Sequence, residues 1–402
     1  MSPSFSPSLN IAPTEFAERA ERLRAHVAAH GLRGVVLFDN YYILYFSGFA
    51  FIPTERPVAF VMSADGEKAL FVPRLEVEHA QAQTGFARVD HYVEYPYDPH
   101  PMHVLRDTLA ALNMAAGPLA ADTDGYPWIL GYRGPALSAV TGHPVTPVAA
   151  HVEDLMAIKS PAEVSLIRES VTWSNLAHRL LQRYTRAGAT ETEVSARASN
   201  EATFAMLDAL GGRYAAQSPL GSGAGAGYRG QIGRNSAIPH ALEGNIAFRA
   251  GDVLVTGAST PMWGYNSELE RTMVVGGLPA EGERLFAHML AAQETAFEAL
   301  RPGAPCAEVD RAVRAYYQRH DLMRYWKHHT GHAIGLRYHE GPFLDAGDPT
   351  VIRPGMVFTV EPGLYAPDLG GFRHSDTVLV TGDGIEFLTY YPRDLASLTI
   401  PS

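Results

Sequence analysis

Gly251-Asp252-Val253-Leu254-Val255-Thr256-Gly257, followed by Gly264-Tyr265-Asn266-Ser267-Glu268-Leu269-Glu270-Arg271-Thr272, is the stretch on which the fold turns. Val253–Val255 and the run Thr272-Met273-Val274-Val275 read as strands, with a Gly-Tyr turn between them. Glu268 and Glu270 stand two residues apart, and on a strand such residues project to one face. Two carboxylates on one face repel unless solvent or a cation lies between them. A solvated strand edge is the plain alternative; the flanking glycines and apolar runs favour a cation site.

Working outward, three more clusters follow. They are Gly331-His332-Ala333-Ile334-Gly335, Val360-Glu361-Pro362-Gly363 and Gly371-Phe372-Arg373-His374-Ser375-Asp376. Glu361 ends the apolar run Met356–Val360, and a carboxylate there is costly unless paired, either with Arg373 or with a bound cation. His240 follows Ala237-Ile238-Pro239, and a neutral imidazole suits acid–base work near pH 7. His339 lies in Tyr338-His339-Glu340-Gly341-Pro342, with His328, His329 and His374 close to the motifs. The loop Gly221–Gly227 lacks the Lys-Ser/Thr ending of a phosphate loop and reads as a flexible border of the site.

The order and spacing of these clusters resemble the pita-bread family of methionine aminopeptidase, aminopeptidase P, prolidase and creatinase. The resemblance is close over the C-terminal half and looser over the N-terminal half. The peptidases of that family hold two metal ions with two aspartates, a histidine and two glutamates. Carried over, those positions are Gly257, Glu268, His332, Glu361 and Ser375. A two-metal site needs bridging carboxylates to hold two cations about 3.5–4 Å apart. Gly257 has no side chain and Ser375 only a neutral hydroxyl, so the resemblance implies the metal-free, creatinase-like form, without metal or cofactor.

Leu269-Glu270-Arg271-Thr272 matches creatinase, whose glutamate there holds the substrate guanidinium. By the same resemblance, Glu270 and Glu361 hold and polarise an amidine or guanidinium carbon, and His240 is the general acid and base. His332 and His339 match family histidines that line the pocket, and Tyr265 and Glu268 are expected to contact substrate beside them, Glu268 as an extra negative charge that creatinase does not place there. Arg56, in Thr54-Glu55-Arg56-Pro57, reaches across a homodimer to the substrate carboxylate, for which a planar guanidinium is suited; a surface ion pair with Glu55 or Glu76 is the alternative. The chain departs from creatinase at Phe343 and at His374-Ser375, which points away from creatine itself. The expectation is a metal-independent hydrolase of a carbon–nitrogen bond in a small amidine or guanidino zwitterion. Two alternatives stand beside it: an Xaa-Pro peptidase with a degenerate or single-metal site on Glu268, His332 and Glu361, and a non-catalytic peptide-binding protein.

The 402 residues, 46% hydrophobic and 19% charged, fit a globular protein of two domains. The net charge of −11 argues against a nucleic-acid surface, leaving a small molecule or short peptide as partner. No apolar run approaches the ~20 residues of a membrane helix, and Met1–Pro13 lacks the basic start and apolar core of a signal peptide, so a cytoplasmic location is expected. The single cysteine, Cys306, excludes an internal disulfide and reads as a small buried residue.

The expected fold class is α/β (α+β): an N-terminal creatinase-like α/β domain, 1–155, and a C-terminal pita-bread catalytic domain, 156–402. Strands are expected at 35–38, 58–62 and 69–72, after a helix from Glu15 capped by Thr14. The stretch 155–163 reads as a strand end followed by a helix start, with Ser160 as cap, Pro161 at the first helical position and Glu163 completing a capping box. Helices are expected at about 161–186, 191–210, 280–300 and 306–320.

Overall fold

The computed structural model describes residues 9–219 and 221–402. Two compact units emerge. One comprises 11–156 with 217–219; the other comprises 157–216 and 221–402, with 9–10. The expectation that Met1–Pro13 is not a signal peptide falls largely outside the described residues. No described helix is long and apolar enough to cross a membrane.

The N-terminal unit is a six-stranded mixed sheet with helices. Its strand order is Val89–Tyr92, Lys68–Pro73, Ala59–Ser63, Gly34–Leu37, Leu119–Ala121 and Val145–Pro147. Val35, Val36, Leu37, Phe60, Val61 and Phe71 are fully buried, as expected of strands covered on both faces. The first helix starts at Pro13, not Glu15, with Ala12 at the cap. Proline supplies the fixed φ of a first helical residue, so the start moves ahead of Thr14. A second correction concerns residues 155–158. Ala149–Ala157 is a helix, and Val152 and Met156 are buried at i, i+4 spacing, a period that a short apolar run does not reveal.

The C-terminal unit begins with the helix Pro161–Tyr184. The expected capping box is present: the Ser160 side chain accepts from Glu163 N, and Glu163 accepts from Ser160 N. Such a cap contributes about 1 kcal/mol. The other carboxylate oxygen of Glu163 accepts from the Tyr265 hydroxyl at 2.7 Å, which ties this helix start to the motif-bearing strands. Helices Glu191–Leu210, Ala280–Ala299 and Cys306–Arg319 follow close to their expected bounds.

The central sheet decides the site. Its order is Glu340–Leu344, Gly331–Ala333, Val357–Val360, Ser375–Val380, Leu269–Glu270, Gly257–Ser259 and Gly225–Gly227, all antiparallel. The end of the glycine-rich loop is therefore an edge strand, with Gly227 opposite Gly257. Glu270 stands opposite Ser375, and Val360, just before Glu361, stands opposite Asp376. A Cβ on Gly331 would lie 2.1 Å from the Thr359 carbonyl oxygen, so only glycine lets these two strands approach. The core beneath includes Leu254, Leu269, Met273, Phe358, Val360, Leu364 and Val378.

Candidate active site

The sheet order places Gly257, Glu268, Ser375, Glu361 and His332, far apart in sequence, on or beside neighbouring strands. Three of them carry donors. One ligand atom each from Glu268, His332 and Glu361 lies within 4.8 Å of the others, a set that can hold a metal ion. His332 is fully buried; its Nδ1 donates to the Ala333 carbonyl at 2.9 Å, which leaves Nε2 to face the carboxylates, where a metal ion would take the place of the Nε2 proton. Nε2 lies 3.2 Å from Glu361 Oε1 without the alignment of a hydrogen bond. An orphaned buried imidazole nitrogen facing two carboxylates fits a metal ligand.

The fifth position is spent differently. Ser375 Oγ donates to Glu268 Oε1 at 2.7 Å, and the Glu268 backbone is gripped on both sides by Thr377 Oγ1. Gly257 leaves open space: a Cβ there would meet only Glu270 Oε1, at 3.7 Å. Neither supplies a carboxylate, so the donors present fit one ion and not two.

Glu270 is buried and held by the protein's own guanidinium groups. Arg373 binds it through Nε and Nη2, and Arg229 Nη2 reaches Oε1 at 2.7 Å. Arg373 Nη1 donates to the Tyr365 hydroxyl at 3.0 Å, and Arg373 Nε stands 3.8 Å from Glu361 Oε2. His328 Nε2 is 2.6 Å from the same Tyr365 hydroxyl.

The electrostatics follow from crowding. Burial, with the charges of Glu361 and Glu270 nearby, pushes the Glu268 carboxyl up to about 7. Burial opposes charge on Glu361 as well, but His332 and Arg373 outweigh it and hold Glu361 well below the usual range. Burial works against a charged His332, yet the Glu361 and Glu268 carboxylates raise it to about 9. His339 stacks on His332 with ring centroids 3.9 Å apart, and burial together with His332 lowers it to about 4.

A cavity of about 410 Å³ opens over this cluster, within the size range of ligand sites. Glu268, Glu270, Glu361, His240 and His339 line it, together with His328, His329, Arg229, Lys327 and Arg373. His240 is exposed on its wall, just after the short 3₁₀ turn Gly233–Ala237. A second cavity of about 370 Å³ lies along Gly225–Gly227, Gly257 and Ser259, and shares Arg229, Glu268 and Glu270 with the first. Tyr265 lines neither cavity; it is buried against Glu163. Arg56 belongs to the N-terminal unit, where Glu94 and Glu55 both hold its guanidinium at 2.6 Å. Cys306 is buried, and burial pushes its thiol up to about 12, so it carries no nucleophile. Sequence reasoning passes over Arg229 and Lys327, which sit in no motif. The one signal for them is charge balance, since three carboxylates at a site call for cations.

The profile of metallopeptidase family M24 matches residues 165–382, and that of the creatinase/prolidase N-terminal domain matches residues 19–130. The probable dipeptidase PepE of Mycobacterium tuberculosis is 31% identical over 388 residues, covering 94% of this chain and 96% of the relative. Among solved structures, the dipeptidase PepE of Mycobacterium ulcerans superposes with a TM-score of 0.80 at 26% identity, over 98% of this chain and 100% of that one. The Xaa-Pro dipeptidase of Bacillus anthracis does so with a TM-score of 0.78 at 26% identity, over 94% and 99%. These relatives carry peptidase names and overturn the expectation of a metal-independent, creatinase-like hydrolase. The geometry supplies a physical reason: Glu270, the carboxylate expected to hold a substrate guanidinium, is already occupied by Arg373 and Arg229.

Proposed function

The chain belongs to metallopeptidase family M24, and from that membership we propose that it hydrolyses the peptide bond of short peptides, Xaa-Pro dipeptides foremost, with a single divalent ion on Glu268, His332 and Glu361. The observation that carries this reading is the three-donor cluster, two of whose members, Glu268 and Glu361, line the 410 Å³ cavity. The names of the relatives, dipeptidase and Xaa-Pro dipeptidase, supply the substrate class.

The residues divide the work. Glu268, His332 and Glu361 form an open three-ligand site of the kind that leaves room for water or substrate. When bound, a divalent ion there polarises a carbonyl oxygen and lowers the pKa of a coordinated water. Ser375 and the Ala333 carbonyl orient two of the ligands. Arg373 pairs with Glu270 and donates to the Tyr365 hydroxyl, holding it in place. In this reading His240, exposed on the cavity wall, carries a proton to the leaving nitrogen.

The test is reconstitution. The purified protein, stripped with chelator, is titrated with Mn²⁺, Co²⁺ or Zn²⁺, and its ion content and its cleavage of alanyl-proline are followed together. About one ion per chain with matching turnover is the expected result. No ion uptake and no cleavage at any loading would end this reading.

A further inference from the structure

We propose that Lys327 is the residue that captures the C-terminal carboxylate of the substrate and so confines this site to peptides ending in the cavity. The inference rests on the peptidase reading above and deepens it.

The argument is one of charge pairing. Three cationic side chains line the cavity: Arg229, Arg373 and Lys327. Both arginines bind Glu270, and Arg373 also stands 3.8 Å from Glu361. Lys327 differs. Among the described residues it makes no ion pair; its Nζ donates to the Ala237 carbonyl at 2.6 Å and stands 5.5 Å from the centroid of the Tyr365 ring. An ammonium has three protons to donate, and this bond uses one. A lysine is also a flexible point charge, able to meet a carboxylate without fixed fork geometry.

Position adds a second reason. Ala237, which accepts from Lys327, ends the 3₁₀ turn that leads through Ile238 and Pro239 to His240. Lys327 is thus fastened to the segment that carries His240, and it immediately precedes His328 and His329 on the opposite run of chain. A carboxylate gripped there sits beside the proposed proton carrier. A free dipeptide brings one ammonium and one carboxylate into a cavity already lined by three carboxylates. Its own carboxylate is expensive to desolvate unless a cation receives it, and Lys327 is the cation left for it.

The experiment compares alanyl-proline with alanyl-prolinamide, which lacks the carboxylate charge, on the metal-loaded wild type, K327M and K327R. The wild type is expected to prefer the acid by about 10- to 100-fold in kcat/KM, the range of one charge-assisted hydrogen bond, mostly through KM. K327M should lose that preference by losing rate on the acid alone, and K327R should keep most of it. Equal rates on acid and amide in the wild type, or an undiminished preference in K327M, would overturn the proposal. If the wild type cleaves neither compound, the peptidase reading falls, and calorimetric binding of the same two compounds decides Lys327: affinity for the acid over the amide that K327M abolishes supports it, and any other pattern refutes it.

Discussion

The Ser375 hydroxyl donates to Glu268 Oε1 at 2.7 Å, so the strand facing Glu270 gives its neighbour a hydrogen bond where a second carboxylate would give repulsion. This contact fixes one oxygen of a proposed metal ligand. Removing such a supporting hydrogen bond typically costs 10- to 100-fold in metal affinity. Ser375→Ala should therefore weaken Mn²⁺ binding by about tenfold, read by competition with a chelator, while the fold persists.

His332 is the ligand with no substitute. Its Nδ1 is engaged by Ala333, and no other described imidazole nitrogen completes a three-donor set with Glu268 and Glu361. His332→Ala should abolish stoichiometric ion uptake. An ion at 100 times its dissociation constant stabilises the native state by about 2.7 kcal/mol. The wild type should therefore melt several degrees higher with Mn²⁺ than without it, and the variant should not respond. A variant that still responds would remove His332 from the site.

Glu270 and Arg373 form a buried pair, each side chain only 4% exposed. Breaking one partner of such a pair strands a charge and costs about 3–5 kcal/mol, whereas replacing both with apolar residues is often near neutral. Glu270→Leu alone should lower stability to urea by that order, and Glu270→Leu with Arg373→Met should recover much of the loss. Activity should fail in the double variant, because only there do Tyr365 and Glu361 lose their guanidinium neighbour, Arg373.

Two glycines of the central sheet should respond oppositely to alanine. At Gly331 a Cβ would collide with the Thr359 carbonyl at 2.1 Å, and backbone must move. Gly331→Ala should cost about 1–3 kcal/mol and loosen ion binding through its neighbour His332. At Gly257 a Cβ meets only Glu270 Oε1, at 3.7 Å. Gly257→Ala should be close to neutral in thermal unfolding; a large loss there would show that the open space is required for folding.

Much of this protein was legible in its residues because the signals are local. The capping box at Ser160 and Glu163, the four long helices of the C-terminal unit and the buried character of strands such as Val35–Leu37 follow from caps and periodicity over a few residues. So does the chemical class of the candidate ligands, since Gly257 and Ser375 cannot offer a carboxylate wherever they lie. The helix Ala149–Ala157 was not legible, because a short apolar run has no period long enough to separate helix from strand.

What only the tertiary structure decided is who neutralises whom. Glu270 and Arg373 lie 103 residues apart, Glu270 and Arg229 41 apart, and Lys327 and Ala237 90 apart. The sequence alone determined that carboxylates and imidazoles are present at strand and turn positions suited to a cation. Whether that cation is a substrate guanidinium, an internal arginine or a metal ion depends on distances of a few ångströms, because electrostatic energy in a buried site falls off over that scale. Antiparallel pairing sets those distances, and pairing is a property of strands meeting in space.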